Sequence, residues 1–202
     1  MPIYNAPLAD MKFILNDVFN ADQFWQSNEN LAHVDSATAE AILEEMAKFA
    51  QNVTLPLNRT GDEEGATFSD GAVTTPAGFK EAFKQYAEGG WIGLAADEEW
   101  GGQGMPKMLT VLADEMLFAT NPSFMLYPLL SVGAGMALNS YASQEQKETY
   151  LPKIYSGEWS GTMCLTEPHA GTDLGIIKTK AERNEDGTYN ITGTKIFITG
   201  GD

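Results

Sequence analysis

The sequence predicts an α+β protein: an all-α helical bundle over residues 1–158, followed by the first strands of an antiparallel β-domain over residues 159–202. Through the first part, apolar residues recur at i, i+3, i+4 and i+7, the pattern of helices that bury one face. Past residue 159 the texture changes to β-branched and aromatic runs separated by turn residues. An Asp186-Gly187 pair between two of those runs is a hairpin signal. The chain stops straight after the last run, and so short a sheet is marginal by itself, so the expectation is a sequence cut short inside its β-domain.

Leu8, Met11, Ile14, Leu15, Val18 and Phe19 share a face, so 8–20 is expected as an amphipathic helix. Asp35 or Ser36 can cap a second helix, with Ala39, Ile42, Leu43, Met46, Phe49, Ala50 and Val53 on its apolar face. It is expected to end near Leu55-Pro56, because proline disfavours a helical residue before it. Residues 58–74, rich in glycine and charge, are expected as loop. Thr75-Pro76 opens a third helix with the stripe Phe79, Phe83 and Tyr86, stopped by Gly89-Gly90. Residues 91–104 read as a Gly-rich loop whose acidic centre, Asp97-Glu98-Glu99, is solvated. Met105-Pro106 opens a fourth helix, and an uncharged helix or helix pair follows Asn121-Pro122 to about Ala142. Ser143 and Gln146 form a capping box for a short helix to about Tyr155. Strands are expected over Ser160–Thr166, Thr179–Arg183, Tyr189–Thr192 and Gly193–Thr199.

Composition narrows the function classes. Twelve Lys and Arg against 28 Asp and Glu give a net charge of −16, which repels phosphate and argues against nucleic acid. Hydrophobic residues at 43% separate the chain from a disordered acidic tail. One cysteine, Cys164, excludes an internal disulfide, and with only His33 and His169 beside it no metal site is expected. Met1 to Tyr4 shows neither a basic n-region nor an apolar h-region, so no signal peptide is expected and the expected location is cytoplasmic. Met116 to Gln144 carries no charge and is long enough for a bilayer, but it holds Pro122, Pro128, Gly133 and Gly135 and lacks flanking basic clusters. It reads as a helix buried in a bundle, with no membrane span.

Two stretches carry a family resemblance. Met163-Cys164-Leu165-Thr166-Glu167-Pro168-His169-Ala170-Gly171-Thr172-Asp173 resembles the Thr-Glu-Pro-x-Ala-Gly-Ser/Thr-Asp signature of the acyl-CoA dehydrogenases, a family of flavoproteins. Gly193-Thr194-Lys195-Ile196-Phe197-Ile198-Thr199-Gly200-Gly201 is similar to that family's Gly-x-Lys-x-Trp/Phe-Ile-Thr-Asn/Gly-Gly strand. Gly90 to Leu94 with Trp100 to Gly104, and Ser143 to Lys147 before Tyr150-Leu151-Pro152, agree with it. The opening Met1 to Leu8 resembles a longer subgroup that includes 3-methylthiopropanoyl-CoA dehydrogenases. The implied fold is the family's helical domain followed by the start of an antiparallel β-barrel-like domain.

The implied cofactor is FAD. By the family pattern Leu165 and Thr166 lie against the flavin, with Thr166 bonding its pyrimidine edge. Met163 is expected to touch flavin or substrate, and Thr172, in the turn with Gly171, to bond a phosphate or ribityl oxygen. Phe197 would stack on the isoalloxazine and Thr199 would approach N5, since residues two apart on a strand share a face. Cys164 is expected to be a buried small hydrophobe, His169 a turn residue, Glu167 a structural acceptor of backbone amides, and the methionines packing, a few of them lining an acyl tunnel.

The resemblance implies FAD-dependent α,β-dehydrogenation of an acyl-CoA thioester to the trans-2-enoyl-CoA, an electron-transfer flavoprotein as acceptor, and a homo-oligomeric full-length enzyme. No residue here matches the family's glutamate base, which is expected beyond Asp202, so no catalytic residue is assigned and the chain alone is expected to be inactive. The alternative is a non-catalytic flavin- or acyl-binding fragment of that fold.

Overall fold

The computed structural model describes residues 3–200. Met1-Pro2 of the opening motif, and Gly201 of the second motif, lie outside the described residues. The chain divides at Gly161–Thr162 into a helical unit and a smaller β-unit.

In the helical unit the periodic runs become helices, with departures that have local causes. Leu8–Phe13 (α1) continues through a π-turn at Ile14–Val18 and is followed by Ala21–Gln26 (α2). Ser36–Phe49 (α3) begins at Asp35, whose Oδ1 accepts from the Thr38 amide at 2.7 Å. The helix does not end at Leu55-Pro56. It passes through a second π-turn, Ala50–Thr54, into Leu55–Glu64 (α4). The π-turn places Pro56 in the first turn of α4, where the missing N–H has no helical partner to lose.

The expected loop over 58–74 is therefore helix to residue 64, followed by a hairpin, Thr67–Ser69 (β1) and Ala72–Thr74 (β2). Its turn is Asp70-Gly71 with φ of 52° and 83°, the doubly positive geometry that suits twisted two-residue hairpins. Phe79–Glu88 (α5) ends at Gly89-Gly90, where Gly90 takes φ 74°. The loop beyond contains two short 3-10 turns, and Asp97 caps the second of them. Lys107–Thr120 (α6), Pro122–Tyr141 (α7) and Gln144–Tyr155 (α8) complete the unit, α8 opening on the expected Ser143/Gln146 capping box.

The core of this unit is one cluster. Met11, Trp25, Leu43, Met46, Leu109, Met116, Leu117 and Met125 are all buried, with α3 packed on α6 and α6 on α7. An aromatic group, Phe49, Tyr86 and Phe124, joins α3, α5 and α7, with centroids 5.7–6.1 Å apart. The uncharged stretch after residue 121 is a single helix despite Pro128, and buries Phe124, Met125, Pro128, Ser131 and Gly135 along one side. Among the described residues no helix is long and apolar enough to cross a membrane.

Two helix junctions are tied by buried polar groups. Asn121 Oδ1 accepts from the Phe124 amide at 3.0 Å, capping α7, while its Nδ2 donates to the Thr54 carbonyl at 3.2 Å. The Thr54 and Thr120 hydroxyls lie 2.7 Å apart, and all three residues are fully buried.

In the β-unit, Lys180–Arg183 (β3) and Tyr189–Thr192 (β4) form the expected antiparallel hairpin, with Lys180 opposite Thr192. The other two expected strands do not form. Ser160–Thr166 and Gly193–Thr199 belong to no ladder and share a single backbone bond, Ile196 N–H to the Thr166 carbonyl at 2.9 Å. β-Branched composition fits a residue to a pleated surface but does not supply a neighbouring strand.

Candidate functional site

The β-unit is organised around Glu167, which is 3% exposed. A short turn brings it there: the Glu167 and Ala170 amides and carbonyls exchange bonds of 3.0 Å across Pro168-His169. The carboxylate accepts from the Lys178 amide at 2.8 Å and the Thr179 amide at 2.9 Å. Lys195 Nζ lies 2.9 Å from Glu167 Oε1 and also donates to the Leu165 carbonyl at 2.8 Å. His169 Nε2 is 3.3 Å from the other carboxylate oxygen. One carboxylate therefore fastens three segments: the 165–170 turn, the start of β3, and the run after β4.

The Thr179 hydroxyl, the Lys178 amide and the Lys195 ammonium all favour the charged form, and hold the Glu167 carboxyl well below the usual carboxylate range. The Thr179 hydroxyl faces this group without full hydrogen-bond geometry, so the backbone amides and Lys195 are the contacts that fix the carboxylate. A depressed folded pKa makes the unfolded state bind the extra proton first, so the stabilisation is complete above the unfolded value of about 4.3 and is lost as pH falls through the folded one. Amide-exchange protection at Lys178 and Thr179 is expected to hold at pH 5 and to collapse only on strong acidification. The same measurement on Glu167→Gln should show weaker protection with no such acid transition.

Gly193 is fixed by a close approach. A Cβ there would lie 2.0 Å from the Thr179 side-chain oxygen, so only glycine lets the run after β4 fold back over Thr179. Thr162 Oγ1 donates to the Thr199 carbonyl at 2.6 Å, closing the far end of the same pair of segments.

The residues singled out in the sequence fall into two groups around this fastening. Met163, Leu165, Thr166, Phe197 and Thr199 lie on the two segments that run side by side. Met163 and Phe197 are 60% and 85% exposed, as are several other large apolar side chains of this unit, among them Ile191 and Tyr189. Gly171 and Thr172 lie exposed beyond Ala170, ahead of a 3-10 turn at Leu174–Ile176 that Asp173 caps through the Gly175 amide.

Two expectations need correction. Phe197 takes φ 58°, which breaks the strand alternation, so a shared face for Phe197 and Thr199 does not follow from their spacing. Cys164 is exposed rather than buried, because its segment has no sheet on either side. Glu167 does accept backbone amides. Its partner Lys195 occupies the lysine position of the Gly-x-Lys motif, to which the sequence alone assigns no role; the ion pair with Glu167 supplies one.

These residues suit a flavin chemically. Exposed Met163, Leu165 and Phe197 offer apolar surface, and Thr166 and Thr172 offer hydroxyls. Nothing lies within 4 Å of where a Gly171 side chain would begin, so the backbone there is open to a ligand. Among the described residues no group of three or more His, Cys, Asp or Glu could hold a metal ion.

Comparison with known proteins places the chain. A family model, acyl-CoA dehydrogenase N-terminal domain, matches residues 36–158. The 3-methylmercaptopropionyl-CoA dehydrogenase of Ruegeria pomeroyi is 41% identical over 199 residues, 98% of this chain and 34% of the relative. Butyryl-CoA dehydrogenase from Megasphaera elsdenii superposes with a TM-score of 0.70 at 28% identity, covering 81% of this chain and 41% of that one. The acyl-CoA dehydrogenase complexed with FAD from Bacillus anthracis gives 0.69 at 28% identity, over 84% and 28%. The chain spans about a third of the length of the curated relatives it matches. It belongs to the acyl-CoA dehydrogenase family, the match lying on its helical part.

Proposed function

We propose that this chain is the N-terminal part of an FAD-dependent enzyme that oxidises an acyl-CoA thioester to the trans-2-enoyl-CoA, with a helical domain over 1–158 and a β-domain beginning at 159. The observation that carries this reading is the 163–172 segment. Its signature turn is locked by Glu167 and Lys195, and its apolar and hydroxyl side chains are left facing outward.

In this reading Met163, Leu165 and Phe197 supply the apolar wall for the ring system, and Thr166, Gly171, Thr172 and Thr199 supply its polar contacts. When bound, FAD supplies acceptance of the β-hydrogen of the substrate as hydride, and the protein supplies position and electrostatics. Glu167 has the wrong properties for the α-proton base. It is held ionised far below neutrality by its partners, so it has almost no basicity at neutral pH. Its role is to fix the backbone from which the neighbouring residues reach the cofactor. The proton-abstracting group is assigned to residues beyond Asp202. An electron-transfer flavoprotein as acceptor and a homo-oligomeric whole enzyme complete the proposal, both supported by the resemblance of the two β-motifs, and a cytoplasmic location is proposed with them.

The test is a visible absorption spectrum of the purified chain, taken after incubation with FAD and gel filtration. A co-eluting flavin band that is lost in Thr166→Val and Thr172→Ala supports the reading. A band that survives both substitutions overturns the assignment of these residues, and a chain that retains no flavin acts only as a structural part of the fold.

A further inference from the structure

Thr172, assigned above to a polar contact with the cofactor, sits on a stretch with little to hold it. Residues 171–175 are all exposed, and among the described residues their hydrogen bonds are local. Asp173 Oδ1 accepts from the Gly175 amide at 2.9 Å, and the Leu174 carbonyl accepts from the Ile177 amide at 3.4 Å. A loop of this kind samples many conformations unless its ends are fixed. The near end is fixed by the paired bonds between Glu167 and Ala170. On the far side Glu167 takes the Lys178 amide, beyond the 3-10 turn. The turn itself is held by one side chain, His169, whose Nε2 lies 3.1 Å from the Ile176 carbonyl oxygen.

That contact settles which ring nitrogen carries the hydrogen. A carbonyl oxygen only accepts, so Nε2 is the donor. Glu167 Oε2 lies 3.3 Å from the same nitrogen and favours the same tautomer. Glu167 is buried and is itself fixed by two amides and Lys195, so the group behind the imidazole is rigid. The ring therefore ties the far end of the loop to the carboxylate that fastens the rest of the β-unit.

We propose that His169 is a positioning residue: through the Ile176 carbonyl it holds the 171–175 loop in the shape from which Thr172 and the open Gly171 backbone meet the ribityl and phosphate part of the flavin cofactor. The ligand half of this proposal rests on the flavin reading; the clamp itself does not.

The experiment compares the 202-residue chain with His169→Gln and His169→Asn. A glutamine places its amide nitrogen about where Nε2 lies, whereas an asparagine reaches only as far as Nδ1, so the two separate the far donor from mere polarity. Side-chain nitrogen shifts of the unsubstituted chain are expected to show the hydrogen on Nε2. Amide exchange at Gly175 and Ile177 should accelerate about 3- to 10-fold in His169→Asn, the effect of one lost hydrogen bond, and stay near the original rate in His169→Gln. Affinity for FAD should fall by a similar factor in His169→Asn and be largely restored in His169→Gln. Affinity for lumiflavin, the ring system without its ribityl chain, should change in neither, because the ring is met by Met163, Leu165 and Phe197. A hydrogen on Nδ1, asparagine performing as well as glutamine, or equal weakening of FAD and lumiflavin would each overturn the proposal. An unsubstituted chain that binds neither flavin while exchange follows the expected order overturns the flavin reading and the role given to the loop, and leaves the clamp between His169 and Ile176 standing.

Discussion

Asn121→Ala is expected to lower the stability of the helical unit by about 2–4 kcal/mol, measured as a shift in the urea midpoint of its helical circular dichroism at constant slope. The size follows from what one side chain does at two junctions. Its Oδ1 caps α7 at the Phe124 amide, and loss of such a cap alone costs about 1 kcal/mol. Its Nδ2 donates to the Thr54 carbonyl, which sits where the π-turn passes into α4. Both groups are sealed from water, so truncation leaves them unsatisfied instead of rehydrated, which adds about 1–3 kcal/mol for a buried polar group. Asn121→Asp keeps the cap acceptor but sets a second carboxyl oxygen against the Thr54 carbonyl in a site closed to water, so it should be no milder than the alanine change. The neighbouring Thr54 and Thr120 hydroxyls make a contrasting case. Each also bonds a carbonyl one turn back, Ala50 and Met116, so a joint change to Val removes both partners together and should be far milder.

This network also marks where the sequence stops being readable. The helix Ala39 to Val53 could be drawn from spacing alone, because its apolar stripe, its Asp35 cap and its partners all agree. The continuation through Pro56 could not, since the rule against a helical residue before proline assumes an unbroken α-ladder and the π-turn removes that assumption. The Asp70-Gly71 hairpin did carry its own signal, masked by the charge-rich residues on either side.

In the β-unit the hairpin of β3 and β4 was legible because both strands and the turn are local. The 160–166 and 193–199 runs were legible as motifs but not as strands, because a ladder needs partners that composition does not name. The ion pair that holds them spans 28 residues, and no short-range pattern reports a contact of that kind. The candidate site follows the same division. Its outward-facing residues belong to recognisable motifs, whereas the contacts that position them come from tertiary packing.

Lys195→Met gives the second large effect, because it strands a buried carboxylate. The substitution keeps the length and apolar stem of the side chain, so what it removes is the ammonium that lies between Glu167 Oε1 and the Leu165 carbonyl. Glu167 then keeps two amide donors but loses its only lysine partner, and removing one member of a buried pair is far more damaging than the pair is stabilising. Exchange of the Ile196 amide, whose bond to the Thr166 carbonyl joins the two motif segments, is expected to accelerate at least about tenfold. The acid behaviour distinguishes this from a general loss of packing. Lys195 is one of the groups that depress the Glu167 pKa, so its removal must raise that pKa and move the acid collapse of Thr179 protection to higher pH. Lys195→Arg retains the cation and should bring the transition most of the way back. An acid midpoint that stays in place in Lys195→Met would mean that the two backbone amides alone hold the turn, and that Lys195 contributes nothing to fixing the signature segment.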